Sequence, residues 1–218
     1  MKKGVTIYPA ILSHSKVELE QKVRTAREYN FRGVQIDVMD GKFVKNKTYS
    51  DKEALRRIKS KGLFFEIQLM VKDPASEIIR LAKAGDRFII HLESCRNPRP
   101  LVHLIRGLKK GVGIAINPET PVSKIFPYIK DIDVALVMTV RPGKSGQKLI
   151  PQTLLKVRRL RKRFPKLPIE VDGGINGKTA TLAINSGASI LVVGSYFWKA
   201  NNKENSIHNL VTYEYKKT

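Results

Sequence analysis

The feature that most constrains this chain is a repeated alternation. Eight short runs, Val5–Tyr8, Gly33–Asp37, Leu63–Gln68, Arg87–His91, Gly111–Ala115, Asp133–Met138, Pro168–Asp172 and Ser189–Val193, are separated by segments with helical periodicity. Most of the runs are nearly continuous in apolar residues, the pattern of parallel strands covered on both faces. The segments between them have readable ends. Ser15 with Glu18 three residues later reads as a capping box, and Leu19, Val23 and Ala26 follow at i, i+4 and i+7. Asp73-Pro74 supplies an N-cap and an N1 proline to a helix with the buried stripe Ile78, Leu81 and Ala82, ended by Gly85. Asn176 caps a helix that Gly187 terminates, and Leu154, Val157, Leu160 and Phe164 share one side of another.

Eight strand–helix units in 218 residues predict an α/β fold of the (β/α)8 TIM-barrel type, with residues 1–218 forming one domain. A doubly wound open sheet is the alternative, but it normally carries a Gly-rich dinucleotide turn after its first strand. Tyr8-Pro9-Ala10-Ile11 is no such turn, and Gly111-Val112-Gly113 lacks the third glycine. Composition sets the outer limits. With 42% hydrophobic residues the chain has material for a core, which argues against disorder. Apolar runs such as Ile190–Val193 are far too short to span a bilayer, and Met1–Val5 leads straight into a strand rather than through a signal peptide. The single Cys95 excludes an internal disulfide and a multi-Cys zinc site, in keeping with a cytoplasmic location. A net charge of +22 favours anionic partners: nucleic acid, a membrane surface or phosphorylated metabolites.

In a barrel of this kind chemistry gathers where strands end. Asp37 and Asp172 end the second and seventh strands, three places apart around an eight-membered ring, so their carboxylates can face one another across the mouth. Such a pair suits removal of a proton from one face of a carbon and its return on the other. The competing role is to cap the loops that follow. Gly173-Gly174 and Gly194-Ser195 follow strands seven and eight, the usual phosphate position, where glycine lets backbone N–H groups approach oxygens and a helix N-terminus adds positive potential. His91 reads as a buried, hydrogen-bonded structural histidine, whereas His14, His103 and His208 join no motif. Cys95 lacks the paired histidine of a nucleophile.

The same strand ends resemble the ribulose-phosphate 3-epimerase family. The matching pieces are Pro9-Ala-Ile-Leu-Ser13, Asp37 to Val44 with Asn46, Gln68-Leu-Met-Val71 and Asn117-Pro-Glu-Thr-Pro121, then Val137 to Gly143, Gly146-Gln147, Val171 to Asn176 and Val193-Gly-Ser195. They occur in the family's order and cover nearly the whole chain. The resemblance implies a cytoplasmic enzyme, usually a homo-oligomer (dimer or hexamer), that interconverts D-ribulose 5-phosphate and D-xylulose 5-phosphate through an enediolate with the help of zinc or iron. It implies Asp37 and Asp172 as the catalytic pair, with Met39, Met70 and Met138 lining the reacting carbons. Ser13 would donate to a substrate hydroxyl, and Gly143-Lys144-Ser145-Gly146 would cover the substrate. Each has a plainer reading: Ser13 closing the turn into the first helix, the methionines as barrel packing, Lys144 as a solvated loop lysine rather than a phosphate contact.

The sequence departs from the family at the metal. Where relatives carry two histidines that join the two aspartates as ligands, this chain has Gln35 and Gln68. An amide oxygen is a poor ligand for zinc. The first expectation is therefore a site without cofactor, in which a Gln35 or Gln68 amide donates to the developing oxyanion. The second is Mg²⁺ held by Asp37 and Asp172, and the third a weak or dead site. Without a cation, proximity should raise the pKa of at least one aspartate. Rival functions are epimerisation of another ketose phosphate such as a hexulose 6-phosphate, and non-catalytic binding of a sugar phosphate. A nucleic-acid partner would rest on the basic run Lys156 to Lys166, but no aromatic ladder or recognition motif accompanies it. Arg56, Arg57, Lys59, Lys61 and the cations from Arg158 to Arg163 fall on outward helix faces, where they attract an anionic substrate without touching it. No membrane partner is expected.

Overall fold

Each apolar run becomes a strand: β1 (Thr6–Ile11), β2 (Gly33–Met39), β3 (Phe64–Met70), β4 (Arg87–His91), β5 (Gly111–Ile116), β6 (Val134–Met138), β7 (Ile169–Asp172) and β8 (Ile190–Val193). The strands pair in parallel in chain order, and β8 closes on β1 from Thr6↔Ile190 to Pro9↔Val193. This is the (β/α)8 barrel that the alternation predicts. The computed structural model describes residues 4–59 and 62–211, so Met1 to Lys3 and Lys61 lie outside the described residues.

Strands β1, β2 and β3 run two or three residues nearer the mouth than the apolar runs suggest. Register explains the extra reach of β2 and β3, where Val38↔Leu69 and Met39↔Met70 extend the ladder. In β1, pairing with β8 ends at Pro9 and pairing with β2 begins at Ala10. The residue without an N–H thus sits at the hand-over between two neighbours, where a proline is least disruptive.

The helices are α1 (Lys16–Glu28), α2 (Lys52–Ile58), α3 (Pro74–Leu81), α4 (Arg99–Gly107), α5 (Leu154–Arg163), α6 (Gly177–Ser186), α7 (Ser195–Trp198) and α8 (Lys203–Val211). Ser15 Oγ accepts from the Glu18 N–H at 3.2 Å, but the Glu18 carboxylate accepts from the N–H of His14 at 2.8 Å rather than from Ser15. The box therefore closes one residue upstream. Asp73 and Pro74 start α3 as expected, yet the helix ends at Leu81, four residues before Gly85. A Cβ at Gly85 would come within 2.7 Å of the Phe88 ring, so this glycine permits close packing and is not a cap. Asn176 and Thr179 form a complete capping box on α6, and Gly187 at φ 110° ends it. Between β5 and β6 the link Val122–Asp131 is a 3-10 helix, because Pro127 cannot supply an α-helical N–H.

Alternation along the strands divides the interior in two. Val34, Ile36, Phe65, Ile67, Leu69 and their counterparts pack beneath the helices. Tyr8, Ile89, Ala115, Val134, Leu136, Met138 and Ile190 fill the barrel. Below the mouth lies a charged layer that no sequence pattern marks. Glu66 and Glu170 are fully buried, Arg87 Nε pairs with Glu66, and Arg87 Nη2 lies 3.5 Å from Glu170. The guanidinium stands 5.9 Å from the Tyr8 ring and 5.1 Å from that of Phe64. Arg158, Arg159, Lys162 and Arg163 are exposed on α5 as expected, while Arg161 folds back onto the carbonyls of Gly187 and Pro165. Among the described residues no helix is long and apolar enough to cross a membrane.

Candidate active site

The site is built on the C-terminal ends of the strands, where inward-facing residues stop being barrel filling and meet solvent. Thr48 fixes the end of β2: its Oγ1 donates to the Asp37 carbonyl at 2.8 Å and accepts from the Met39 N–H at 2.9 Å. Across the mouth, the Thr139 N–H donates to the Asp172 carbonyl at 2.7 Å, and Thr139 Oγ1 lies 2.6 Å from the carbonyl of Gly173. Both carboxylates thus stand on strand ends tied down by a buried threonine.

Asp37 and Asp172 are joined through amides. Gln35 Nε2 lies 3.0 Å from Asp37 Oδ1 and 3.3 Å from Asp172 Oδ2. The Gln68 amide reaches the same two carboxylate oxygens. With its N–H end turned to them it donates at 3.0 Å to Asp37 and 3.1 Å to Asp172, while its Oε1 accepts from His91 Nε2 at 3.0 Å. The opposite orientation puts Gln68 Oε1 against Gln35 Nε2 and Gln68 Nε2 against His91. Hydrogen-bond partners decide between the two ends of an amide. Turning the N–H end inward gives both carboxylates a further donor but sets it 2.6 Å from the Gln35 N–H end, whereas the opposite orientation makes that contact a hydrogen bond.

Burial raises the pKa of both aspartates, and in Asp37 the nearby Asp172 raises it further. Asp172 is pushed up to about 6, mainly by burial, against the lowering effects of the Gln35 hydrogen bond and of His91. Two buried carboxylates that cannot both ionise cheaply share one proton near neutral pH.

The residues present do not fit the zinc or iron of the family. Two carboxylates and two carboxamides converge, and in Gln35 the atom between the carboxylates is the N–H end, a donor that repels a cation. A four-coordinate ion about 2.0 Å from its ligands would hold them roughly 3.3 Å apart. The polar atoms here approach as closely as 2.6 Å, which is hydrogen-bond spacing. Among the described residues no three His, Cys, Asp or Glu side chains form a ligand group.

Above the pair opens a cleft of about 560 Å³, counting the solvent in its mouth. Asp37, Met39, Met70, Met138 and Asp172 lie on its floor and wall, as expected. Gly143, Lys144, Ser145 and Gly146 border it on one side, and Gly173, Gly174, Gly194 and Ser195 on another. Three expected residues do not line it. Gln35 and Gln68 are fully buried and serve the carboxylates, so the amides are not placed to meet an oxyanion directly. Ser13 is also buried, its carbonyl taken by the Tyr49 N–H at 2.8 Å. The cleft also gains a residue that was not expected: Gln147, whose Nε2 donates to the carbonyls of Arg141 and Lys144 at 2.7 and 2.8 Å and so shapes the covering loop.

Gly173 and Gly174 adopt φ of 119° and 64°, and a Cβ on either would lie within 2.4 Å of Val140 or Leu149 atoms. Only glycine fits there, which leaves this turn's backbone open to the cleft.

Fold and site together define a (β/α)8 barrel with a buried pair of carboxylates at its C-terminal mouth. Residues 6–198 match the ribulose-phosphate 3 epimerase family profile, and the chain belongs to that family. It is 38% identical over 210 residues to the ribulose-phosphate 3-epimerase of Schizosaccharomyces pombe, covering 94% of this chain and 91% of the relative. The Bacillus subtilis protein of the same name is 34% identical over 214 residues, covering 94% and 98%. A rice relative, 36% identical over 203 residues and covering 89% and 87%, is named a cytoplasmic isoform. Among solved structures, 3-hexulose-6-phosphate synthase from Salmonella typhimurium shares the fold with a TM-score of 0.70 at 16% identity, covering 95% and 97% of the two chains.

Proposed function

We propose that this protein interconverts D-ribulose 5-phosphate and D-xylulose 5-phosphate, and that it does so without a metal ion. The observation that carries the reading is the carboxylate pair: Asp37 and Asp172 on opposed strands, both raised in pKa, linked by the Gln35 N–H end. Relatives bearing the epimerase name support the substrate.

The chemistry follows from one shared proton. The ionised carboxylate removes the proton from C3, and the electron pair of that C–H bond moves into the enediolate. The neutral carboxyl then gives its proton to C3 from the other face. When the base has taken its proton both carboxyls are neutral, so no like charge faces the enediolate. The Gln35 amide donor is aimed at both carboxylates and stabilises whichever one is ionised. Met39, Met70 and Met138 keep water from the reacting carbons without offering strong hydrogen-bond partners. The backbone at Gly173-Gly174 and Gly194-Ser195 would receive the phosphate, with Lys144 at the rim.

Turnover in D₂O tests this. The product should carry deuterium at C3, and Asp37→Asn or Asp172→Asn should lower kcat by about 10²–10⁴-fold. Absence of any conversion at high protein concentration would overturn the reading. A cytoplasmic homo-oligomer, a dimer or hexamer, belongs to the same proposal. Sedimentation velocity reads that assembly directly.

A further inference from the structure

A phosphate monoester would bring about two negative charges into a cleft whose floor already holds a carboxylate pair. Neither helix behind the glycine turns is built to answer them. α6 follows Gly173-Gly174, but Asn176 Oδ1 accepts from the Lys178 and Thr179 N–H groups at 3.0 and 3.1 Å, so its first turn is capped from within. α7 follows Gly194 and is four residues long, a single turn with little dipole to offer. The backbone of the two turns can hydrogen-bond an oxyanion, yet it supplies no full charge. Lys22 is already held by the Leu12 carbonyl at 2.6 Å and the Glu18 carboxylate at 2.7 Å.

Among the described residues that line the cleft, Lys144 alone carries a positive charge. Arg141, the other cation at this end of the loop, is taken by Glu119 at 2.7 Å. Lys144 forms no ion pair among the described residues, and no Asp or Glu occurs from Val134 to Ile169. Its place is fixed through the backbone. Gln147 Nε2 donates to the carbonyl of Lys144 itself at 2.8 Å and to that of Arg141 at 2.7 Å. A Cβ on Gly143 would lie 2.9 Å from Val44 Cβ, and one on Gly174 would lie 2.3 Å from the Leu149 nitrogen. One on Gly146 would stand 3.9 Å from Ser195 Oγ. Lys144 thus rides on a loop packed against both glycine turns.

We propose that Lys144 is a specificity-determining residue, the cation that binds the phosphate of the substrate above the two glycine turns. Its long stem lets the ammonium reach oxygens that the backbone N–H groups leave free. The inference rests on the sugar-phosphate reading of the site and deepens it, by assigning the charge that selects a phosphorylated ketose over a neutral one.

Two measurements test it. Inorganic phosphate titrated into the intact protein and followed by ³¹P NMR gives a Kd without turnover. Lys144→Met should raise that Kd about tenfold or more, as loss of one charge-assisted hydrogen bond does, and Lys144→Arg should recover most of the affinity. Lys148→Met removes the same charge from the same segment but from outside the cleft lining, and should leave Kd within about twofold at physiological salt. In kinetics with D-ribulose 5-phosphate, the loss in Lys144→Met should fall on KM far more than on kcat. Equal losses in the two Met variants would mark a general field rather than a contact and overturn the proposal. So would an unmoved Kd in Lys144→Met, or a wild type that binds no phosphate. Lys144-dependent phosphate binding without epimerase turnover sinks the functional reading and leaves the proposal standing. Turnover with an unmoved KM in Lys144→Met does the reverse.

Discussion

Asp37 and Asp172 stand close enough to share the Gln35 Nε2 atom, and buried carboxylates so placed are costly to ionise together. The consequence is a pH profile. Below about 6, where Asp172 takes a proton, the pair has no base and activity falls. At high pH the pair loses its last proton and with it the acid, so kcat/KM should trace a bell whose acid limb lies near pH 6. A rate that rises monotonically with pH would show that no shared proton is needed. This residue scale is where the sequence was both most and least legible. The paired aspartates and the methionines of the cleft could be named from strand-end position and family resemblance. The use of Gln35 and Gln68 as partners of the pair could not, because it depends on barrel closure bringing Gln35 to Gln68, 33 positions away, and to Asp172, 137 positions away.

At the scale of the element, periodicity read the barrel well and its interior charge not at all. Apolar runs mark a strand's buried middle, so they located all eight strands but stopped short of Met39 and Met70, whose membership depends on a partner's register. Gly85 looked like a cap because position alone does not distinguish a left-handed turn from close packing against Phe88. Glu66, Arg87 and Glu170 alternate correctly for inward residues on β3, β4 and β7, yet nothing local says they meet. Burial and the nearby Glu66 push the Glu170 carboxyl well above its ordinary value, against the pull of Arg87. Arg87→Met should therefore destabilise the barrel by about 3–5 kcal/mol, because it leaves two buried glutamates without a cation. Urea unfolding measures this, and adding Glu66→Gln to the variant should recover part of the loss. Equal stability of wild type and Arg87→Met would mean that the layer is already neutral.

Across the whole molecule, the surplus of +22 lies mostly outside the chemistry. Exposed cations crowd α2 and α5, several engaged locally: Arg56 with Glu53, and Arg163 over the rings of Phe126 and Phe164. The cleft itself is walled by methionines, glycines and two aspartates, with Lys144 as the one lysine among its lining residues. A basic exterior raises the local concentration of a phosphorylated substrate and makes association sensitive to salt. On the proposed reading the reaction depends instead on the small group of amides and carboxylates at the barrel's centre.

The central claim is that these amides stand where relatives are expected to hold a cation, and that the carboxylate pair works without one. The most direct test is kcat/KM for D-ribulose 5-phosphate after exhaustive chelation, with metal content verified by elemental analysis. The account predicts an unchanged rate in the stripped enzyme and no gain on adding zinc, iron or magnesium. Loss of turnover on stripping, restored by one equivalent of any of these ions, would contradict it.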